Sequence, residues 1–123
     1  MKGFLTNIEE DTLSNEDYRR VIFTGRNTQL VLMTLQPGVE IGLETHEGHD
    51  QFIRIEAGQG EVVMDGKVSP ISDGSAFVIP SGVEHNVTNT SADEPLRLYT
   101  LYSPPEHKDG LIQHTKADEK EGE

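Results

Sequence analysis

The hydrophobic positions of this chain fall into many short runs that are separated by turn residues. The runs are only a few residues long and rich in β-branched residues, a pattern typical of β-strands. No segment shows a convincing amphipathic helix, and no fixed-period repeat is present. Many short strands at regular spacing indicate a β-sandwich or β-barrel. The predicted strands are Arg19–Thr24, Thr28–Leu35, Val39–His46, Gln51–Ala57, Glu61–Met64, Lys67–Ser69, Ala76–Ile79, His85–Thr88 and Pro95–Tyr102.

The runs differ in the environment that they predict. The stretch Thr28–Leu35 is almost continuously apolar, which favours a central strand, and Ala76–Ile79 suits a strand buried on both faces. Gln51–Ala57 alternates, as a half-buried strand does. Asp65-Gly66 predicts a type I′ hairpin turn between two short strands, because both turn residues tolerate positive φ.

Length and composition limit the domain number and the possible partners of this chain. The 123 residues suffice for one domain, with a core at about 18–103, a polar N-terminal segment and an acidic C-terminal tail that we expect to be frayed. The net charge of −12 repels phosphate backbones and anionic lipid headgroups, so neither nucleic acid nor a membrane is an expected partner. No apolar run approaches the roughly 20 residues of a membrane span, and no signal-like segment follows Met1. A cytoplasmic location is therefore expected.

One stretch carries a recognisable motif. Gly74, Pro80, Gly82, His85 and Asn89 occur at a spacing that resembles, without a gap, the second signature motif of the cupin superfamily. The first cupin motif usually has two His one residue apart, then Glu, then a closing Gly. In this chain Gly38 and Gly58 fit the ends of that motif. Glu44 and His46 fall on the two His positions, and Gln51 falls on the Glu position, so the sequence departs from the family twice. The resemblance spans about residues 36–89 and implies an all-β, cupin-type jelly-roll β-barrel.

Strand periodicity supports the same site without reference to the family. Glu44 and His46 lie two residues apart and therefore point to one face of a strand, while Gln51 shares the inward face with Ile53 and Ile55. A carboxylate and an imidazole that face an apolar interior cost several kcal/mol unless they are paired or ligated.

A metal ion meets this need, and with no Cys in the chain its ligands must be His, carboxylate or amide groups. We predict one divalent transition metal ion (Fe, Mn, Ni, Zn or Co) held by Glu44, His46, Gln51 and His85. A hydrogen-bonded Glu–His pair without metal is the alternative. His49 is the alternative fourth ligand in place of Gln51, although we expect it to be an exposed loop residue.

The remaining candidates are less specific. His107 and His114 are expected to dock the segment after the last strand rather than to take part in chemistry. Arg54 is expected to be solvated. Tyr99 and Tyr102 lie on opposite faces of the last strand, and the sequence does not say which of them reaches a pocket.

The resemblance implies a metal-binding barrel but does not select a reaction. The first hypothesis is a small metalloenzyme of the isomerase, lyase or dioxygenase type that acts on a small polar carbonyl or sugar-like metabolite. The alternative is a non-catalytic barrel that binds or senses a small molecule. A third class, a metal-free sugar epimerase, would need a His base and a Tyr acid that no spacing secures. A homodimer is expected, with Thr28–Leu35 or the first strand as the interface.

Overall fold

The computed structural model describes residues 2–119. It contains two antiparallel sheets. The six-stranded sheet has the order β6-β3-β8-β2-β1-β9 and the three-stranded sheet the order β5-β4-β7. The predicted all-β architecture is confirmed. The elements in chain order are α1 (Ile8–Ser14), β1 (Arg19–Thr24), β2 (Gln29–Leu35), β3 (Asp50–Ala57), β4 (Gln59–Met64), β5 (Lys67–Ser72), β6 (Ala76–Ile79), β7 (His85–Asn89), β8 (Leu96–Ser103), β9 (Ile112–Gln113) and a short 3-10 helix (Lys116–Asp118).

The two sheets enclose an interior that is apolar at one end and polar at the other. On β8 the inward residues run from Leu96 and Leu98 to Thr100 and Tyr102, all of them buried. The neighbouring strands β2 and β3 follow the same trend, and their registers place Gln29 and Gln51 on either side of Tyr102. The apolar end supplies the hydrophobic core, and the polar end is where a binding site can form. The inward apolar residues of β2, β3 and β7 are Val31, Met33, Leu35, Ile53, Ile55 and Val87.

The second sheet brings a distant segment of chain to the polar end. In the β4–β5 hairpin, Asp65 and Gly66 have φ of 48° and 80°, so the predicted primed turn is confirmed. The predicted strand Val39–His46 is wrong as a continuous strand. This segment pairs with β7 through two isolated bridges only, Glu40 with Thr88 and Glu44 with His85. Gly42, with φ of 112°, interrupts regular pairing between the two bridges.

A short helix precedes β1, which the strand pattern did not predict. The side chain of Asn7 caps α1 by accepting a hydrogen bond from the Glu10 backbone N–H at 3.0 Å. The acidic residues of the first turn suit the positive end of the helix dipole. Beyond the helix, Asn15 donates to Thr34 on the outer face of β2, which joins the N-terminal segment to the six-stranded sheet.

One prediction about exposure is wrong. Ala76–Ile79 is not buried on both faces, because β6 is an edge strand whose Val78 is 56% exposed. The strands proposed for a dimer interface, β1 and β2, are each paired on both edges, with β2 between β8 and β1 and β1 between β2 and β9. Strand β9 pairs with only Arg19 and Arg20 of β1, and the homodimer with its interface stays a prediction.

The segment after β8 is docked on the barrel, as expected for His107. The two-residue strand β9 pairs with β1. The side-chain amide of Gln29 donates to the His107 carbonyl and accepts from the His107 backbone N–H. Glu119, predicted to lie in a frayed tail, instead accepts hydrogen bonds from Arg19 and Lys116. Residues 120–123 of the predicted acidic tail lie outside the described residues.

Candidate metal centre

Three predicted ligands meet at the polar end of the barrel. The Nε2 atom of His46 lies 3.1 Å from Oε1 of Glu44, and the Nε2 atom of His85 lies 3.7 Å from the same oxygen. One donor atom from each of the three residues falls within 4.8 Å of the others, and within residues 2–119 this is the only such group of His and carboxylate side chains. Donors about 2.1 Å from one ion are themselves roughly 3 Å apart, so the observed spacing is close to that of a ligand set.

Local structure fixes the positions of these side chains. His85 begins β7 directly after the turn Pro80-Ser81-Gly82, where Gly82 adopts φ of 85°. The Gly82 backbone N–H donates to the His46 carbonyl at 3.0 Å, and Ser81 Oγ accepts from the Gly48 N–H at 2.8 Å. The turn of the second motif is thereby joined to the loop of the first, and the two histidine rings come within 5.2 Å of each other.

His85 is oriented as a metal-ligating imidazole would be. Its Nδ1 lies 2.8 Å from the Val83 carbonyl, which can only accept, so Nδ1 carries the proton. The lone pair of the neutral ring then belongs to Nε2, which is buried and has no hydrogen-bond partner in the described structure. An imidazole whose outer nitrogen is bonded to a carbonyl and whose inner nitrogen is free fits a divalent transition metal ion.

The charges of the group reinforce one another. Burial works against ionisation of Glu44, but the hydrogen bond from His46 and the positive charges of His46 and Arg19 outweigh it, so the pKa of Glu44 lies below its usual value. The same hydrogen bond holds the pKa of His46 above its usual value. Without a metal ion the two side chains therefore form an ion pair, which is the metal-free alternative left open by the sequence.

Gln51 lies on the inner face of β3, as predicted. It is 2% exposed, and its register partner on β8 is Tyr102. Its Nε2 donates to Thr100 Oγ1 at 3.0 Å, which leaves the buried Oε1 without a partner. The ring of Tyr102 lies 5.7 Å from that of His46. Gln51 thus presents an unpaired neutral oxygen in the row of side chains next to the Glu–His–His group.

His49 is not the exposed loop residue that the sequence suggested, since its side chain is only 19% exposed. Its Nδ1 lies 2.7 Å from the Pro104 carbonyl, and its Nε2 lies 3.0 Å from Oε2 of Glu106. Both ring nitrogens of His49 are engaged on the side of the segment after β8. This engagement favours Gln51 over His49 as the fourth donor.

Glu106 is a residue that sequence reasoning missed. Its Oε1 lies 3.6 Å from Nδ1 of His46, on the opposite side of that ring from Glu44. A carboxylate behind a metal-binding imidazole is a common orienting partner. The only signal in the sequence was the stiff Pro104-Pro105 pair that precedes it, which does not indicate where the carboxylate points.

Tyr102, rather than Tyr99, reaches the interior. Tyr102 is 1% exposed, and the ring of His107 packs edge-on against it at 5.0 Å. Burial raises the pKa of the Tyr102 hydroxyl above its usual value and lowers the pKa of His107 to about 4, so both side chains are neutral near pH 7. Arg54, expected to be solvated, pairs with Glu56 on the outer face of β3 and keeps 39% of its side chain exposed. His114, expected to dock the segment after β8, is 76% exposed, and its Nδ1 lies 2.7 Å from Oδ1 of Asp17.

Arg19 is a second residue that the sequence did not single out. It is 3% exposed on the inner side of β1, where its Nη1 donates to Gln113 Oε1 at 2.7 Å and to Glu119 Oε2 at 3.0 Å. The hydroxyl of Tyr18 also donates to Glu119, at 3.3 Å. The guanidinium therefore adds a permanent positive charge to the interior.

Comparisons with known proteins identify the family to which the fold belongs. A family model described as "Cupin domain" matches residues 31–102. The protein YrkC of Bacillus subtilis is 43% identical over 123 residues, which is 95% of this chain and 66% of YrkC. The oxalate-binding protein of Thermotoga maritima is 38% identical over 58 residues, 47% of this chain and 48% of that protein.

Among solved structures, the crystal structure of BH2720 from Bacillus halodurans superimposes with a TM-score of 0.92 at 41% identity and covers 95% of this chain and 92% of that one. The cupin-type jelly roll is thereby confirmed. This chain spans about two thirds of the length of YrkC. No helix among the described residues is long and apolar enough to cross a membrane.

Proposed function

We propose a metal-dependent function for this chain, which belongs to the cupin domain family: it binds one divalent transition metal ion through Glu44, His46 and His85, with Gln51 as the fourth donor. The observation that carries the proposal is the buried, unpaired Nε2 of His85, which lies within ligand spacing of Glu44. Two imidazoles, one carboxylate and one amide oxygen suit Fe, Mn, Ni, Zn or Co.

The proposed reaction class follows from the charge of the ligand set. Glu44 supplies the single negative charge, so a 2+ ion would keep a net charge of +1. Such an ion would polarise a bound carbonyl group or stabilise an enolate. Four protein donors also leave coordination positions open on an ion that accepts six ligands. We therefore propose a small metalloenzyme of the isomerase, lyase or dioxygenase type that acts on a small polar carbonyl or sugar-like metabolite.

The residues around the ligands have their own parts in this proposal. Glu106 orients His46 from behind, and the Val83 carbonyl fixes the tautomer of His85. Tyr102 and His107, both uncharged near pH 7, supply donor and acceptor groups without adding charge beside the ligands. Glu44 is 35% exposed, so the ligand group is accessible to a small molecule from solvent.

A non-catalytic binding barrel is the second candidate. It is favoured by one observation, the similarity of about half of the chain to a protein named for oxalate binding. The two candidates differ in turnover. A metal-loaded binding barrel would bind a small acid and release it unchanged, whereas the enzyme would convert it, and NMR of the ligand after incubation separates the two.

Metal analysis tests the proposal directly. Protein purified without added metal should carry one tightly held divalent ion per chain. His85→Ala should lose most of it, because the change removes one of the four proposed donors. His114→Ala is the matched control, since that imidazole is exposed and contacts Asp17 rather than a proposed metal ligand.

His49 provides the test of the ligand set. His49→Ala should retain the metal and Gln51→Ala should weaken its binding. Loss of the metal in His49→Ala with full retention in Gln51→Ala would reject the assignment of the fourth donor. Occupancy should also fall as the pH drops through the histidine range, about 6.5 for an unperturbed imidazole, because protons compete with the ion.

A further inference from the structure

The interior contains buried polar atoms that a metal ion does not explain. Within residues 2–119, the buried side-chain atoms without a hydrogen-bond partner belong to Arg19, Gln51, His85 and His107. An ion can take up the lone pairs of His85 Nε2 and Gln51 Oε1. It cannot satisfy Arg19, whose Nε–H is a donor on a permanently charged group. A buried donor without an acceptor is costly, so this atom calls for a second occupant of the barrel.

The free part of the Arg19 guanidinium has a defined shape. Both hydrogen bonds of Arg19 in the described structure leave from Nη1, toward Gln113 and Glu119. The opposite edge of the guanidinium, formed by Nε and Nη2, makes neither of these two hydrogen bonds. Two parallel N–H groups along one edge match the two oxygens of a carboxylate. The ring of Tyr18, 5.1 Å from the Arg19 Cζ, holds the guanidinium plane in place.

The charge balance points to the same kind of occupant. Arg19 and Lys116 share the single carboxylate of Glu119, at 3.0 Å and 2.8 Å, so this cluster keeps one net positive charge in a chain whose net charge is −12. The Lys116 ammonium also donates to the carbonyl of Ile41, on the segment that leads to Glu44. The ring of Tyr18 packs against both cations, 5.1 Å from the Arg19 Cζ and 5.7 Å from the Lys116 Nζ, so the two positive charges form one cluster.

We propose that Arg19 is the anion-binding half of the metal pocket, where its Nε/Nη2 edge binds one carboxylate of a small organic acid while a second oxygen group of that acid faces the metal ligands. This inference rests on the proposed metal function and narrows its substrate class to carboxylates. His107, neutral and without a partner at either ring nitrogen, supplies a further hydrogen bond in the same interior. Neutral sugars and simple aldehydes lack the group that Arg19 selects.

The test compares diacids with their diamides, which have the same carbon skeleton and no carboxylate. Calorimetry on the cobalt-loaded protein measures the dissociation constants of oxalate, malonate and succinate, and of the diamide of each. At least one diacid should bind about 10-fold to 100-fold more tightly than its diamide, the range expected for a charge-assisted hydrogen-bonded pair. Arg19→Gln should remove most of this preference. Diacids and diamides that bind alike in the parent protein would overturn the proposal.

Two further variants keep the test decisive if Arg19→Gln fails to fold. Arg19→Lys keeps the charge without the planar edge, so the preference should shrink at least several-fold. Glu119→Gln keeps Arg19 and removes its competing carboxylate, so diacids should bind more tightly. An undiminished preference in Arg19→Lys together with unchanged binding in Glu119→Gln would mean that Arg19 is only an anchor for the C-terminal segment.

Failure of the metal proposal gives a different result. If metal titration shows no binding to the parent protein, the metal function is wrong. Diacid binding to the metal-free protein then still tests Arg19. Binding that Arg19→Lys removes would support the anion site on its own, and no binding would reject it.

Discussion

The carboxylate of Glu106 gives the sharpest test of how the chain holds its metal ligands. It lies between two imidazoles, with Oε2 at 3.0 Å from His49 Nε2 and Oε1 at 3.6 Å from His46 Nδ1. Glu106→Gln preserves the shape of the side chain and removes its charge. The change should weaken metal binding, because the His46 ring loses the carboxylate that orients it and raises the basicity of its metal-facing nitrogen.

The size of the effect follows from these distances. Loss of an orienting partner behind a metal ligand typically costs 10-fold to 100-fold in metal affinity. At 3.6 Å the contact between Glu106 and His46 is longer than a normal hydrogen bond, so the lower end of that range applies. We expect the dissociation constant of the metal to rise about 10-fold, which is a loss of about 1.4 kcal/mol in binding free energy.

The assay is a competition titration of zinc against a chromophoric chelator at fixed pH and ionic strength. Glu61→Gln is the matched control, because Glu61 is an exposed carboxylate on β4 and its loss changes the net charge by the same amount. His49→Ala removes the other partner of Glu106 and should leave the zinc affinity nearly unchanged. Zinc affinity of Glu106→Gln equal to that of Glu61→Gln would refute the orienting role.

Further predictions concern pH, packing and assembly. In the metal-free protein, the depressed pKa of Glu44 gives stability that is lost as the pH falls through it, and the raised pKa of His46 gives stability that is lost as the pH rises through it. In thermal denaturation, the contribution of the Glu44–His46 pair to stability should therefore be largest between pH 4.5 and pH 6.5, the usual pKa values of the two groups. Glu44→Gln should flatten this pH dependence. Gly60→Ala should destabilise the fold by about 1–3 kcal/mol or more in urea denaturation, because a Cβ there would lie 2.3 Å from the Thr88 carbonyl oxygen, whereas Gly3→Ala, with nothing within 4 Å, should not. Sedimentation at tens of micromolar should show a homodimer, and a purely monomeric protein would contradict this expectation.

The local pattern of the sequence determined the strands and the faces of most candidate ligands. Alternation with period two put Gln51 on the inner face of its strand and Glu44 beside His46, since successive side chains point to opposite sides. The spacing around Pro80 and Gly82 predicted the turn that directs His85 inward. Tertiary structure was still needed for the distances, because His85 and His46 belong to segments joined only by the folded sheets.

Other features were decided by tertiary structure alone. The helix before β1 has seven residues and is marked in the sequence only by Asn7 with Glu10 three positions later, a capping pattern too short for hydrophobic periodicity to reveal. Whether a strand is an edge strand depends on which partners it finds, so an apolar run such as Ala76–Ile79 looks the same in either place. The positions of Arg19 and Glu106 depend on long-range contacts. Arg19 contacts Glu119, which lies 100 positions away in the chain, and Glu106 contacts His49, which lies 57 positions away. Local periodicity carries no information on such contacts, because it reports which face a residue occupies and not which distant segment packs against that face.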